Sequence, residues 1–255
     1  MKGQKLIIAA ALAACALVSR SASAVEPFTL VRDAYPEPVG QWELELGQDV
    51  YWHPKEDHNA KEFGTEFELE RGITEKLALS VSAELSYQDN ADKEGLSFEQ
   101  IAIGGQYIFA SPATEPLGVG LLGEIGFGER GNMSGKLFLA VQKDTDKWIL
   151  AYNIGLTADI ESAIGGGPRE TSGTLVNAAG AEYALTPHFY AGAETSVEIG
   201  YSEFRVYDDT VWYAGPVIYW TPSDNIWLSA GLDYQLSDVD SEAQYRGALK
   251  VGYYF

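Results

Sequence analysis

"LALSVSAELSY", residues 77–87, decides the fold class. Leu77, Leu79, Val81, Ala83, Leu85 and Tyr87 alternate with Ser80, Ser82, Glu84 and Ser86. Successive side chains of an extended chain point to opposite faces, so this is a strand with one apolar and one polar side. A helix, turning every 3.6 residues, would scatter both sets around its surface. Phe189–Tyr201 repeats the pattern, with Phe189, Ala191, Ala193, Val197, Ile199 and Tyr201 set against Glu194, Ser196 and Glu198.

The same reading along the chain gives about twelve segments. They lie near 41–52, 62–71, 77–88, 97–109, 117–128, 134–143, 147–159, 174–185, 188–201, 210–220, 226–236 and 245–255. No helical stretch competes with them. Strands of soluble proteins usually run to about five or six residues. A tilted strand that crosses a bilayer needs about nine to eleven, and most of these segments reach that length. The connections point the same way. Odd-to-even joins such as Trp52–Lys61 and Leu236–Gln244 are long and rich in Asp, Glu, Gly and Asn, whereas Thr186-Pro187 and Asp144-Thr145-Asp146 are tight. Outer-membrane barrels alternate long outer loops with short periplasmic turns in this way. On this threading Trp42, Phe109, Trp148, Phe189, Trp220 and Phe255 gather at one end, and Trp52, Phe63, Tyr87, Phe127, Tyr201, Tyr234 and Tyr245 at the other. Two such belts are the girdles that barrels carry at their interfaces.

The expected fold is therefore all-β: a closed antiparallel up-and-down transmembrane barrel spanning 40–255, with both termini periplasmic. One strand resists the ruler. In 210–220, Val211, Tyr213, Val217 and Tyr219 compete with Trp212, Ala214, Ile218 and Trp220 for the outward face, and Pro216 suggests a bulge.

Composition sets the remaining bounds. The chain has 255 residues, with 17 Lys+Arg against 37 Asp+Glu and a formal charge of −20. That balance argues against a nucleic-acid partner, because phosphate binding needs clustered cations. Residues 1–24 read as a cleaved secretory signal peptide: Lys2 and Lys5, an apolar run from Leu6 to Val18, then Ala22-Ser23-Ala24. Residues 25–39 follow as a periplasmic N-terminal segment. The single cysteine, Cys15, lies within the leader; Leu12-Ala13-Ala14-Cys15 also reads as a lipoprotein box, which leaves a second route to anchoring open.

If the apolar faces meet lipid, the opposite faces line the lumen. They carry Glu43, Glu45, Glu66, Glu68, Glu84, Glu124, Glu194 and Glu198, with Lys136, Arg246 and Lys250 as counter-charges. Closing the barrel sets Lys250 near Glu43 and Glu45, Arg246 near Asp49, and Lys136 between strands carrying Glu124 and Asp159. Two functions follow from one surface. A surplus of carboxylates attracts cations and disfavours anions in a channel for small solutes. Alternatively the ion pairs seal the lumen of a structural or surface-binding barrel.

Catalysis finds no support. His53 and His58 share a loop with Glu56 and Asp57, a pattern more often found on plain solvated turns than at metal sites, and His188 is remote from it. No Gly-x-Ser-x-Gly, phosphate loop or zinc spacing is present. Neither an enzyme activity, nor a metal, nor a cofactor is expected.

The ending "YRGALKVGYYF", 245–255, resembles the assembly signal of bacterial outer-membrane proteins, with Tyr245, Leu249, Val251, Tyr253 and terminal Phe255 at alternate places. That resemblance implies recognition by the barrel-assembly machinery through strand pairing. "GQWELELGQDV" (40–50), "FELERGITEKLALSVSAELSY" (67–87) and "EYALTPHFYAGAETSVEIG" (182–200) are similar to the outer-membrane transporter family labelled after the MetA pathway of phenol degradation. It implies a barrel that handles small molecules and names no catalytic residue. The expected partners are outer-membrane lipid, the assembly machinery and small solutes.

Overall fold

A computed structural model describes residues 26–90, 94–161 and 170–255; the expected leader and Cys15 lie outside the described residues. The strands are β1 (Trp42–Trp52), β2 (Lys61–Thr74), β3 (Leu77–Asp89) and β4 (Glu94–Ala110). After them come β5 (Gly118–Gly128), β6 (Met133–Asp144), β7 (Trp148–Glu161) and β8 (Glu170–Thr186). The last four are β9 (Phe189–Ser202), β10 (Val206–Ser223), β11 (Ile226–Gln235) and β12 (Tyr245–Tyr254). Each pairs antiparallel with its sequence neighbours, and β1 pairs β12, so the sheet closes on itself. The elements agree with the sequence reading to within a few residues. β4, β8 and β10 run longest, because hydrogen bonding continues past the point where one face stops being apolar.

Alternation is converted directly into sidedness. Ser82 and Asn153 point inward and are 4% and 1% exposed, while Ile103 and Leu156 point outward at 62% and 56%. This inverts a soluble protein, whose apolar side chains would be enclosed. The few polar groups on the outer face partner one another. Thr65 Oγ1 donates to Gln48 Oε1 at 3.0 Å, Tyr152 Oη to Asn177 Oδ1 at 2.9 Å, and Trp212 Nε1 to Thr195 Oγ1 at 2.7 Å.

β10 is resolved by its surroundings. Val211, Tyr213, Val217 and Tyr219 point inward and are buried; Trp212, Ile218 and Trp220 point outward. The expected bulge at Pro216 is absent: pairing with β9 runs through Pro216↔Ala193, and the irregularities fall at Tyr207/Thr210 and Trp220/Ser223. Pro216 itself sits on the outward face.

The chain's last strand is not an open edge. Its whole length pairs with β1, and the seam is closed by reciprocal bonds, Trp42 N–H to Phe255 O at 3.1 Å and Phe255 N–H to Trp42 O at 2.9 Å. Rings gather at the two ends as expected. Trp52 stacks on Tyr245 with centroids 5.6 Å apart, while Tyr253 stacks on Phe255 at 6.0 Å.

Candidate functional site: the strapped lumen

The segment before β1, residues 26–40, runs as a strap around the barrel's inner wall at the end where the strands begin and finish. Pro27, Pro36 and Pro38 remove backbone donors, so the strap cannot pair as a full strand. Wall side chains hold it instead, and they make the inner faces of these strands polar.

Contacts follow the strap around the wall. Ser229 of β11 donates to the Glu26 carbonyl. Lys250 of β12 holds the Glu26 carboxylate at 3.4 Å and that of Glu45 at 3.3 Å. Glu194 of β9 accepts the backbone N–H groups of Thr29 and Leu30 at 3.0 and 2.9 Å, and the Thr29 hydroxyl besides. Asn153 of β7 makes two bonds to the Arg32 main chain, accepting its N–H at 2.5 Å and donating to its carbonyl at 2.9 Å. Gln142 of β6 accepts the Ala34 N–H at 3.0 Å, Tyr35 donates to Asp144, and Gln106 of β4 donates to the Asp33 carbonyl at 3.3 Å. The strap then meets β2, with a single bridge at Val39↔Gly72 and Gly40 in the left-handed region at φ 81°.

Apolar packing completes the docking. Phe28 and Val31 form a cluster with Ile149, Ala151, Ala178 and Val217. Gly180 makes this possible, since a Cβ there would lie 2.4 Å from the Phe28 ring. Beside that berth, Glu182 is fully enclosed and neither carboxylate oxygen has a hydrogen-bond partner. A second cluster of Tyr219, Trp227 and Tyr254 lies near the same end, where Trp227 Nε1 donates to Glu43.

The other half of the lumen is braced by ion pairs that cross it. Lys136 of β6 lies 3.0 Å from Glu124 on β5 and 3.0 Å from Glu84 on β3. Arg246 of β12 lies 3.0 Å from Glu198 on β9, 3.8 Å from Asp233 on β11, and over the Tyr213 ring at 4.4 Å. Arg246 forms its ion pairs with Glu198 and with Asp233, its directly opposite partner on β11. Lys136 lies, as expected, between the strands that carry Glu124 and Asp159, and reaches Glu84 across the lumen besides. Lys250 does meet Glu45.

Every expected lumen residue points inward, and register sharpens their crowding. Glu43 lies opposite Glu70, Glu45 opposite Glu68, and Glu66 opposite Glu84. Like charges set directly across a ladder are destabilising. Three successive inward pairs of them crowd β1, β2 and β3, with Lys250 on Glu45 and Lys136 on Glu84 as counter-charges. Between this wall and the strap lies a chamber of about 70 Å³. A separate cup lies at each end of the barrel: one at the strand termini, bounded by Tyr35, Asp144 and Tyr219, the other at the long loops, bounded by Glu62, Glu84 and Asp159.

His53 and His58 stack at 4.4 Å, and no cluster of metal-ligating side chains occurs among the described residues. The C-terminal Leu249 and Phe255 point outward, and Tyr245, Val251 and Tyr253 share their face.

Comparison with known proteins now bears on this architecture. A family model described as "Family of unknown function (DUF6662)" matches residues 21–251. The chain belongs to DUF6662. No curated protein matches it. The fold of this DUF6662 member is that of outer-membrane β-barrels. It resembles the COG4313 outer membrane channel from Pseudomonas putida F1, with a TM-score of 0.58 and 12% identity, covering 88% of this chain and 98% of that one. It also resembles the translocator domain of the autotransporter NalP from Neisseria meningitidis, with a TM-score of 0.57 and 15% identity over 99% and 95% of the two chains. The NanC porin aligns with a TM-score of 0.52 and 11% identity, over 83% and 97%. The narrower likeness to the MetA-pathway transporters is not among what these comparisons show.

Proposed function

We propose that this chain is an outer-membrane channel for small solutes, with a carboxylate-rich lumen that favours cations or neutral polar molecules and a strap that narrows it. The single observation that carries the reading is the inward stack of like-charged pairs on β1–β3 facing a chamber. Low-dielectric walls focus such a field and concentrate cations. The apolar outer face, with its mutually satisfied polar groups, suits hydrocarbon, where unpaired polar groups are costly. Neighbours described as a channel and a porin support transport over catalysis. Both termini then lie on the periplasmic side, and the Phe255 strand serves as the assembly signal, as the alternation of loop lengths and the alternate-residue pattern suggest.

One observation favours a second reading, a barrel that does not conduct. The strap occupies one half of the lumen, and Lys136 and Arg246 bridge the other. Planar-bilayer recording separates the two. The channel reading expects step currents whose reversal potential in a salt gradient has the sign of cation preference, reduced in Glu66→Gln/Glu84→Gln. Silence in wild type and in every strap-releasing variant supports the sealed barrel.

A further inference from the structure

We infer that the chamber between the strap and the β2–β6 wall is a binding site for a small organic ammonium ion with an apolar body. The inference rests on the channel reading, since the ligand must reach the lumen from solution.

Charge comes first. Glu26, Asp33, Glu37, Glu68, Glu70 and Glu124 line the chamber, against Arg32 and Lys136. Lys136 is already taken by Glu84 and Glu124, and Glu26 is held by Lys250. Arg32 divides its field among Glu26, Glu45, Glu66 and Glu68. Glu37, Glu68 and Glu70 therefore face the cavity with too little positive charge between them.

Glu37 gives this a local signature. It is 7% exposed and lines the chamber, and its Oε2 has no hydrogen-bond partner. Leaving a buried carboxylate oxygen unsatisfied is costly, and an ammonium N–H in the chamber would satisfy it. Burial, and then the charge of Glu26, pushes the Glu37 carboxyl up to about 8, which is the direction expected where a cation is missing.

Size and lining then choose among cations. The carboxylates do not converge into a group able to hold a metal ion among the described residues, whereas a chamber of about 70 Å³ exceeds the roughly 10–15 Å³ that one water requires and admits a small organic ion. Phe138 and Leu122 contribute apolar surface from the wall. The Phe138 ring is packed flat against β7, where a Cβ on Gly155 would lie 2.2 Å from it. A fixed ring beside unneutralised carboxylates is the combination that recognises organic cations, through cation–π attraction and charge together.

Equilibrium dialysis of the purified mature chain in detergent micelles tests the site without any current being measured. The probes are benzylammonium, its neutral isostere benzyl alcohol, and Ca²⁺. Saturable binding of benzylammonium, at least tenfold tighter than benzyl alcohol and weakened at least tenfold in Glu68→Gln/Glu70→Gln, is expected. Phe138→Leu should weaken it severalfold, with circular dichroism confirming that each variant is folded. Equal binding of ammonium and alcohol, preference for Ca²⁺ alone, or indifference to the Glu68/Glu70 substitutions overturns the proposal. Binding without conductance would fault the channel reading alone; conductance without binding would fault the site alone.

Discussion

The carboxylate of Glu194 and the backbone N–H of Leu30, 2.9 Å apart and 164 residues apart in sequence, tie the strap to the barrel wall. With the Thr29 N–H and hydroxyl on the same carboxylate, Glu194 is the strap's main polar anchor. Hydrogen bonds to charged groups contribute about 1.5–3 kcal/mol each, and none of these belongs to the barrel's own ladder. Glu194→Ala is therefore expected to loosen the strap while leaving the barrel closed. A thiol probe should label Thr29→Cys faster in the Glu194→Ala background, with an unchanged circular dichroism spectrum.

Acidity should tighten the strap. Glu37 faces Glu26, Asp33, Glu43, Glu70 and Tyr254. Burial and the Glu26 charge raise its carboxyl from 4.5 to about 8 when docked, and the same causes raise Asp33. A carboxyl whose docked pKa exceeds its free value is easiest to dock when protonated. Docking then weakens as pH rises from about 4.5 to about 8 and levels off beyond. Labelling of Thr29→Cys, corrected for thiol ionisation with a free-thiol standard, should accelerate across that window, and Glu37→Gln should flatten the change.

Arg246 stands between Asp233 and Glu198 with little access to solvent. Removing one partner of a buried pair strands the other, at about 3–5 kcal/mol. Arg246→Met should lower the denaturant midpoint accordingly. Arg246→Met with Asp233→Asn and Glu198→Gln should recover most of the loss.

The facing pair Glu43 and Glu70 predicts the opposite sign. Replacing one of two like charges across a ladder relieves about 0.2–1 kcal/mol, so Glu70→Gln should raise the denaturant midpoint slightly. A drop instead would mean that Glu70 is held by a favourable partner.

The barrel was legible because period two is a local property: each strand declares its two faces without reference to its neighbours. The inward direction of the eleven charged residues read as lumen-facing followed from the same rule. The strap was not legible, because Glu194, Asn153, Gln142 and Gln106 look like ordinary inward polar residues until closure places them around one segment. Its only local signal was Phe28, Leu30 and Val31, too apolar for an extension into solvent. The same segment explains the ambiguity of 210–220. Val217 is apolar because it meets Phe28 and Val31, and Tyr219 because it packs on Trp227, so both faces of that strand look like an outside. The ion pairs of Arg246 with Glu198 and Asp233 depend on the register of β11 and on reach across the lumen, which a single strand does not display.

The central claim, an acid-lined channel narrowed by its own strap, is tested most directly by locking that strap. A Cβ on Gly231 would lie 2.6 Å from Thr29 Oγ1, so Thr29→Cys/Gly231→Cys brings two thiols within disulfide reach, and the sequence's only cysteine, Cys15, falls in the expected leader. Single-channel current through this variant should be small when oxidised and rise on adding reductant, with cation preference in both states. Current that is anion-selective, or unchanged by reductant once the disulfide is shown to form and break, would contradict the account.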